Sequence, residues 1–182
     1  MEVDYHFNKS VLLFKPQKYF DDRGFFSETC NSKELKKLGV ETQFVLDGVS
    51  FSKSKNVFRG LHFQKAPHTQ AKLVRVLSGS ILDIVVDLRK DSASYLAHKM
   101  FRLSKRNFKQ IYIPEGFAHG FLTLSSNTEV FYKLSDFYYP DLAQSLSWED
   151  ETLNIKLPIK TSDLIIDDKD RNAMKIDQLV EN

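Results

Sequence analysis

The sequence predicts an all-β domain, a sandwich or a closed barrel with only short peripheral helices. Apolar side chains alternate at period two through much of residues 72–134, and turn residues separate the runs. Aromatics make up 13% of the chain, with 15 Phe and 7 Tyr, and such rings favour strands. The best helix candidate is short.

That helix is expected over residues 33–38. Asn31 or Ser32 supplies its N-terminal cap and Gly39 its stop. The clearest strand spans 80–90. Leu82, Ile84, Val86 and Leu88 form one apolar face, opposite a mixed face of Ile81, Asp83, Val85, Asp87 and Arg89. Residues 72–77 alternate just before it, and Ser78-Gly79-Ser80 is a turn signal, so the two runs are expected to pair as a hairpin. Strands at 108–113, 117–124 and 128–134 follow, divided by Pro114-Glu115-Gly116 and Ser125-Ser126-Asn127. Beyond Pro158 the chain turns more polar and is expected to hold short helical turns.

A length of 182 residues favours one domain and can bury a sizeable core without disulfides. The single cysteine, Cys30, excludes an internal disulfide framework and suits a reducing compartment. With 26 basic and 24 acidic residues the net charge is +2, so no electrostatic footprint for nucleic acid is expected. No apolar run is long enough to span a membrane, and residues 1–10 lack a signal-peptide stretch. A cytoplasmic protein without nucleic-acid or membrane partners is the expectation.

Chemistry-bearing residues concentrate in a few stretches. His62 sits in Phe58-Arg59-Gly60-Leu61-His62-Phe63-Gln64, close to Gln70 and Lys72. Imidazole is the natural general base near neutral pH, although a lone strand histidine is more often structural. Arginine offers a planar fork and lysine a point charge, a combination suited to a diphosphate. The bland alternative is a solvated basic rim. Tyr132 shares a face with Val130 and Leu134; it is either core with one polar tip or a general acid in a pocket. No Gly-x-Ser-x-Gly elbow, Gly-x-Gly-x-x-Gly or P-loop is present, which argues against serine hydrolase, nicotinamide and NTPase chemistry.

Seven stretches, in this order and spacing, are specific to one family. They are Asp22-Arg23-Gly24-Phe25-Phe26-Ser27-Glu28, Arg59-Gly60-Leu61-His62-Phe63-Gln64, Gln70-Ala71-Lys72-Leu73-Val74 and Asp83-Ile84-Val85-Val86-Asp87-Leu88-Arg89. Ile113-Pro114-Glu115-Gly116-Phe117-Ala118-His119-Gly120-Phe121, Tyr132-Lys133 and Trp148-Glu149-Asp150 complete the set. The chain resembles the dTDP-4-dehydrorhamnose 3,5-epimerase family over nearly its whole length. The resemblance implies a cupin-type jelly-roll β-barrel, here a single domain over 1–182 with its C-terminal tail on the barrel, working as a homodimer. It implies His62 as base paired with Asp170, Tyr132 as acid on the opposite sugar face, and Lys72 near the C4 carbonyl. Arg59 would lie near the diphosphate. Phe20, Arg23, Phe26 and Glu28 would reach across the dimer to hold the nucleotide, with Tyr138 packing on the nucleotide side. Gln64 and His119 are carried over as further substrate-binding positions.

The implied reaction inverts C3 and C5, or C3 alone, of a dTDP- or GDP-linked 4-keto-6-deoxy sugar in deoxysugar or heptose biosynthesis for surface polysaccharide. No cofactor and no metal are expected: the His-x-His pair of metal-binding cupins is absent, because Gln64 stands two residues after His62. Only the Pro114-x-Gly116-x-x-His119 half of that pattern is present, which makes His119 structural or supporting. Leu46, Gly48 and Ser50 stand where the family usually reads Gln-x-Asn-x-Ser, and Leu157-Pro158 replaces a Trp-Pro. A single-site 3-epimerase, a 3,4-ketoisomerase, a GDP-heptose enzyme, a non-catalytic sugar-nucleotide binder and a metal-dependent cupin oxygenase are the alternatives.

Overall fold

A computed structural model describes residues 2–7 and 10–180 of the chain. The expected all-β class holds. In chain order the elements are β1 (Glu2–Phe7), β2 (Val11–Lys15), β3 (Tyr19–Asp21), β4 (Gly24–Phe26), α1 (Ser32–Lys37), β5 (Leu46–Ser52) and β6 (Val57–Gln64). Next come β7 (Lys72–Ser78), β8 (Ser80–Asp87), β9 (His98–Ser104), β10 (Gln110–Ile113), β11 (Phe117–Thr123), β12 (Thr128–Leu134) and β13 (Ala143–Ser145). A 3-10 turn (Thr161–Asp163), β14 (Ile165–Ile166), α2 (Asp168–Arg171) and α3 (Ile176–Val180) make up the tail.

The strands form two large sheets and a separate β3–β4 hairpin. The first runs β1-β2-β10-β7-β12-β5, and the second β13-β6-β11-β8-β9 with β14 added parallel to β6. Their inner faces share one core, in which Val74, Val76, Ile111, Ile113 and Val130 of the first sheet meet Ile81, Val85, Phe101, Phe117 and Phe121 of the second. Each outer face has its own cover. Leu35 of α1 and Val40 close over Leu12, Phe14, Leu73 and Tyr112. Leu146, Trp148, Leu153, Ile155 and Ile176 of the C-terminal segment cover Phe58, Leu61, Leu82, Ile84 and Leu122. The faces read from the 80–90 alternation therefore both lie buried: the apolar one under the tail, the mixed one toward the inner core.

The expected hairpin of 72–77 with 80–90 is not formed. β7 pairs with β10 and β12, whereas β8 pairs with β9 and β11, so Ser78-Gly79-Ser80 carries the chain from one sheet to the other. Gly79 has φ +77°, and a Cβ there would collide with the Thr128 hydroxyl, so the turn is a tight corner against β12. The helix cap is as expected: the Asn31 side chain accepts from Lys33 N and Glu34 N, and Gly39 (φ +81°) follows the last turn.

Candidate active site

A cleft of about 360 Å³ opens between the sheets. Its chemistry depends on one surplus residue in β6. His62 pairs with His119 and Arg59 with Phe121, so three steps of β6 oppose two of β11. Such a bulge re-aims side chains. It brings Arg59 and His62 both to the cleft while Phe58 and Leu61 both reach the outer cluster. Glycine is required at the bulge. Gly60 has φ +121°, and a Cβ there would stand 2.6 Å from Gly120 Cα and 2.8 Å from His119 O.

His62 is backed by the C-terminal tail. Its Nε2 lies 2.6 Å from Asp170 Oδ1, while Gly60 N–H donates to Asp170 Oδ2 at 2.9 Å and Ser145 Oγ donates to Oδ1 at 3.3 Å. The imidazole is 44% exposed and the carboxylate only 6%. Burial pushes the Asp170 carboxyl up, but the bonds from His62, Gly60 and Ser145 outweigh it and hold the group below the usual carboxylate range. Asp170 is thus a buried anion oriented at one imidazole nitrogen.

The facing wall belongs to the first sheet. Tyr132 of β12 presents its hydroxyl 3.3 Å from Ser50 Oγ of β5, and burial pushes the phenol well up, only partly offset by that hydroxyl. Its ring meets the edge of His119 at 6.4 Å between centroids. Lys72, at the start of β7, is buried and donates from Nζ to His62 O at 3.2 Å. Burial lowers its ammonium pKa to about 8, with the Asp83 charge working in the opposite direction. Asp83 is fully buried; its Oδ2 lies 2.8 Å from His119 Nε2, and its Oδ1 has no partner among the described residues. Burial drives the His119 pKa down against the pull of Asp83, favouring a neutral ring.

His62, Lys72, Tyr132, Arg59, Gln64, His119 and Tyr138 thus all line one cleft, with Asp170 directly behind His62. Arg59 is steadied by Ser52 Oγ and Phe51 O at 3.3 and 3.1 Å. Gln64 is less available than its position suggests, since its amide is hydrogen-bonded to neighbouring backbone. Phe20, Arg23, Phe26 and Glu28 are not brought to this cleft. They lie on and after the β3–β4 hairpin, where Phe20 is 74% and Phe26 65% exposed. Arg23 pairs with Asp21, and Glu28 accepts from Asn31 Nδ2 at 2.6 Å.

Sequence reasoning assigned no role to Asp83 or Lys169. The signal for Asp83 was an acid between Ile81 and Val85 on the mixed face of β8; Lys169, next to Asp170, lines the cleft. Gly48 pairs with Tyr132 across β5 and β12, and a Cβ there would meet only Leu46 Cδ2 at 3.9 Å, so the strand leaves open space beside the phenol. Among the described residues no three His, Cys, Asp or Glu side chains gather as a metal site.

Known proteins share this arrangement of chain. A family model for dTDP-4-dehydrorhamnose 3,5-epimerase matches residues 8–178. The chain is similar to the dTDP-4-dehydrorhamnose 3,5-epimerase of Methanothermobacter thermautotrophicus, with 44% identity over 163 residues, 89% of this chain and 87% of that protein. It superposes on the crystal structure of the Bacillus anthracis enzyme of that name, bound to TDP and PPi, with a TM-score of 0.92 and 42% identity, covering 96% of this chain and 99% of the other. The dTDP-6-deoxy-D-glucose-3,5-epimerase of Legionella pneumophila, solved with dTDP-4-keto-L-rhamnose, matches with a TM-score of 0.85 and 38% identity over 93% of this chain and 89% of that one. With the match running from β2 through the tail that carries Asp170, the chain belongs to the dTDP-4-dehydrorhamnose 3,5-epimerase family.

Proposed function

We propose that this protein inverts C3 and C5 of a dTDP-linked 4-keto-6-deoxy sugar by proton transfer through an enolate. The observation that carries the reading is the placement of His62 and Tyr132 on opposite sheets across one cleft, with the buried Lys72 between their strands' inner faces and Asp170 behind the imidazole. A 4-keto group acidifies the C–H bonds at its neighbours. His62, donating Nε2–H to Asp170, keeps a lone pair on Nδ1 to take such a proton, and Asp170 stabilises the imidazolium that results. The enolate oxygen then needs a preorganised cation or donor, a task suited to Lys72. Inversion requires the proton to return on the other face, and Tyr132, kept protonated by burial, supplies it. The ketone is its own electron sink, so the steps call for neither nicotinamide nor metal.

Arg59 and Lys169 at the cleft suit the diphosphate, and Tyr138 offers a flat ring for the base. A homodimer in the cytoplasm is part of the proposal. Phe20 and Phe26 on the hairpin, and Val49 and Phe51 on the edge strand β5, are large apolar residues left exposed by the single chain. Apolar clusters of this kind mark protein contacts. In a dimer the hairpin would bring Phe20, Arg23, Phe26 and Glu28 to the partner's cleft.

The test is deuterium wash-in from heavy water at C3 and C5 of the dTDP-4-keto-6-deoxy sugar, read by mass spectrometry. Wild type is expected to exchange both positions, and His62→Ala and Tyr132→Phe to lose about 10²–10⁴-fold in rate. Full exchange in both variants defeats the assigned roles; label at C3 alone makes the protein a single-site epimerase.

A further inference from the structure

Gln64 lines the same cleft as His62, where an amide could address a phosphate or a sugar hydroxyl. Its hydrogen bonds leave no capacity for that. A side-chain amide has two N–H donors. Both are spent, one on His68 O and one on Phe137 O at 3.0 Å, while Oε1 accepts Tyr139 N–H at 2.9 Å. Gln70, in the loop just before β7, repeats the pattern, donating from Nε2 to Asp136 O and Phe137 O, each at 2.9 Å. The same loop is gripped from outside. His68 Nδ1 lies 2.9 Å from Asp136 Oδ2, the His68 ring stacks on Tyr139 at 3.7 Å, and Asp136 Oδ1 accepts Phe137 N–H at 2.7 Å. At its base, Ser135 Oγ accepts Ala71 N–H at 2.8 Å and Ser135 N–H donates to Ala71 O at 3.1 Å.

Five of these contacts fall on Phe137 and Tyr139, the two neighbours of one residue, and the others tie down the loop on either side. Tyr138 itself makes none of them; it is 59% exposed and lines the cleft. Its preceding carbonyl is held by two amides and its following residue is fixed at both N–H and ring. An exposed ring on a fixed backbone binds a flat partner with little ordering cost. We propose that Gln64, Gln70 and the His68–Asp136 pair form a brace that holds Tyr138 as a preset stacking platform for the nucleotide base, and that Gln64 serves binding through this loop rather than by touching the ligand. This rests on the nucleotide-sugar reading above and assigns the residues that set nucleotide affinity within it.

The experiment measures dTDP affinity by calorimetry alongside steady-state kinetics on the intact enzyme. Gln64→Glu keeps shape and the acceptor for Tyr139 N–H but removes both donors; it is expected to weaken dTDP at least about tenfold. Asp136→Ala releases His68 and Phe137 and is expected to weaken dTDP about five- to tenfold, raising KM in step while kcat stays within about twofold. Asp136→Asn keeps an oxygen for Phe137 N–H and turns its NH₂ to His68 Nδ1, which accepts in the other ring tautomer, so it should restore most of that loss. The Asp136 pair keeps the test decisive even where Gln64→Glu folds poorly. Unchanged dTDP affinity in Asp136→Ala, or a fall in kcat with KM unmoved, overturns the brace. Weakened dTDP binding in the variants of a protein that exchanges no sugar proton would uphold the brace and sink the epimerase reading; intact exchange with unmoved affinities would do the reverse.

Discussion

Replacing Asp170 by Asn tests the acid–base reading with the least change of shape. The carboxylate accepts three hydrogen bonds, from His62, Gly60 and Ser145. An amide has one oxygen to offer. If it faces Gly60, its NH₂ meets His62 and Ser145; if it faces them, the NH₂ meets the Gly60 N–H. At least one charge-assisted bond is lost either way, about 1.5–3 kcal/mol. For a chain of this size that lowers the melting temperature by about 3–12 °C. The stability contribution has a definite sign with pH. The folded Asp170 carboxyl sits below its ordinary 3.8, so its contribution is complete above that value and disappears as pH falls through the folded pKa. The gap between wild type and Asp170→Asn is therefore expected to be full at pH 7 and to close in strong acid. In catalysis the loss is larger, because the imidazolium no longer has its counter-charge: about 10²–10⁴-fold in wash-in rate. A folded Asp170→Asn protein exchanging within about threefold of wild type refutes the pairing as a working unit.

Lys72→Met is expected to cut exchange about 10²–10³-fold, as for loss of one donor to a developing oxyanion. Wild-type activity should decline as pH rises through about 8, where the ammonium loses its proton, and the variant should lack that inflection. Stability moves the other way: the folded lysine titrates below its unfolded value of roughly 10.4, so its burial penalty applies in full below pH 8 and fades toward pH 10. Lys72→Met should therefore melt no lower than wild type at pH 7, and a large drop there would refute the penalty. Phe20→Ser with Phe26→Ser should raise KM for the sugar nucleotide about tenfold with little change in the unfolding of a single chain, because neither ring belongs to the core; an unmoved KM would remove the hairpin from the partner's cleft. Gly60→Ala forces a methyl onto the Gly120 backbone and should destabilise by at least about 2 kcal/mol, measured by urea unfolding.

The legible parts of the fold were those whose causes are local. The α1 cap needs only Asn31 and the two N–H groups that follow, and it stands in the sequence as it does in space. The strands at 80–87 and 128–134 announced themselves by alternation. Pairing was not legible, because the partners of β7 lie more than thirty residues downstream and its turn to β8 is a corner between sheets. The β6 bulge escaped for a related reason: nothing in Arg59-Gly60-Leu61-His62 marks a residue as surplus until β11 lies beside it. In the site, His62 and Tyr132 stood out by side-chain type. Asp170 entered only through family resemblance, since no pattern links it to a histidine 108 residues earlier. Asp83 was visible only as an acid on the mixed face of its strand, and its burial against His119 belongs to tertiary structure.

That long reach has a consequence for synthesis. A chain emerging N-terminus first has produced every strand of both sheets except β14 by Ser145, yet the carboxylate that bonds to His62 is still 25 residues away. Until then the outer surface of the second sheet, with Phe58, Leu82, Ile84 and Leu122, has no cover, because the residues from Leu146 to Ile176 provide it. Newborn molecules are thus both sticky and inert. The one segment that hides the grease also delivers the anion, so on the proposed mechanism proton abstraction begins only in molecules that have already lost their tendency to clump.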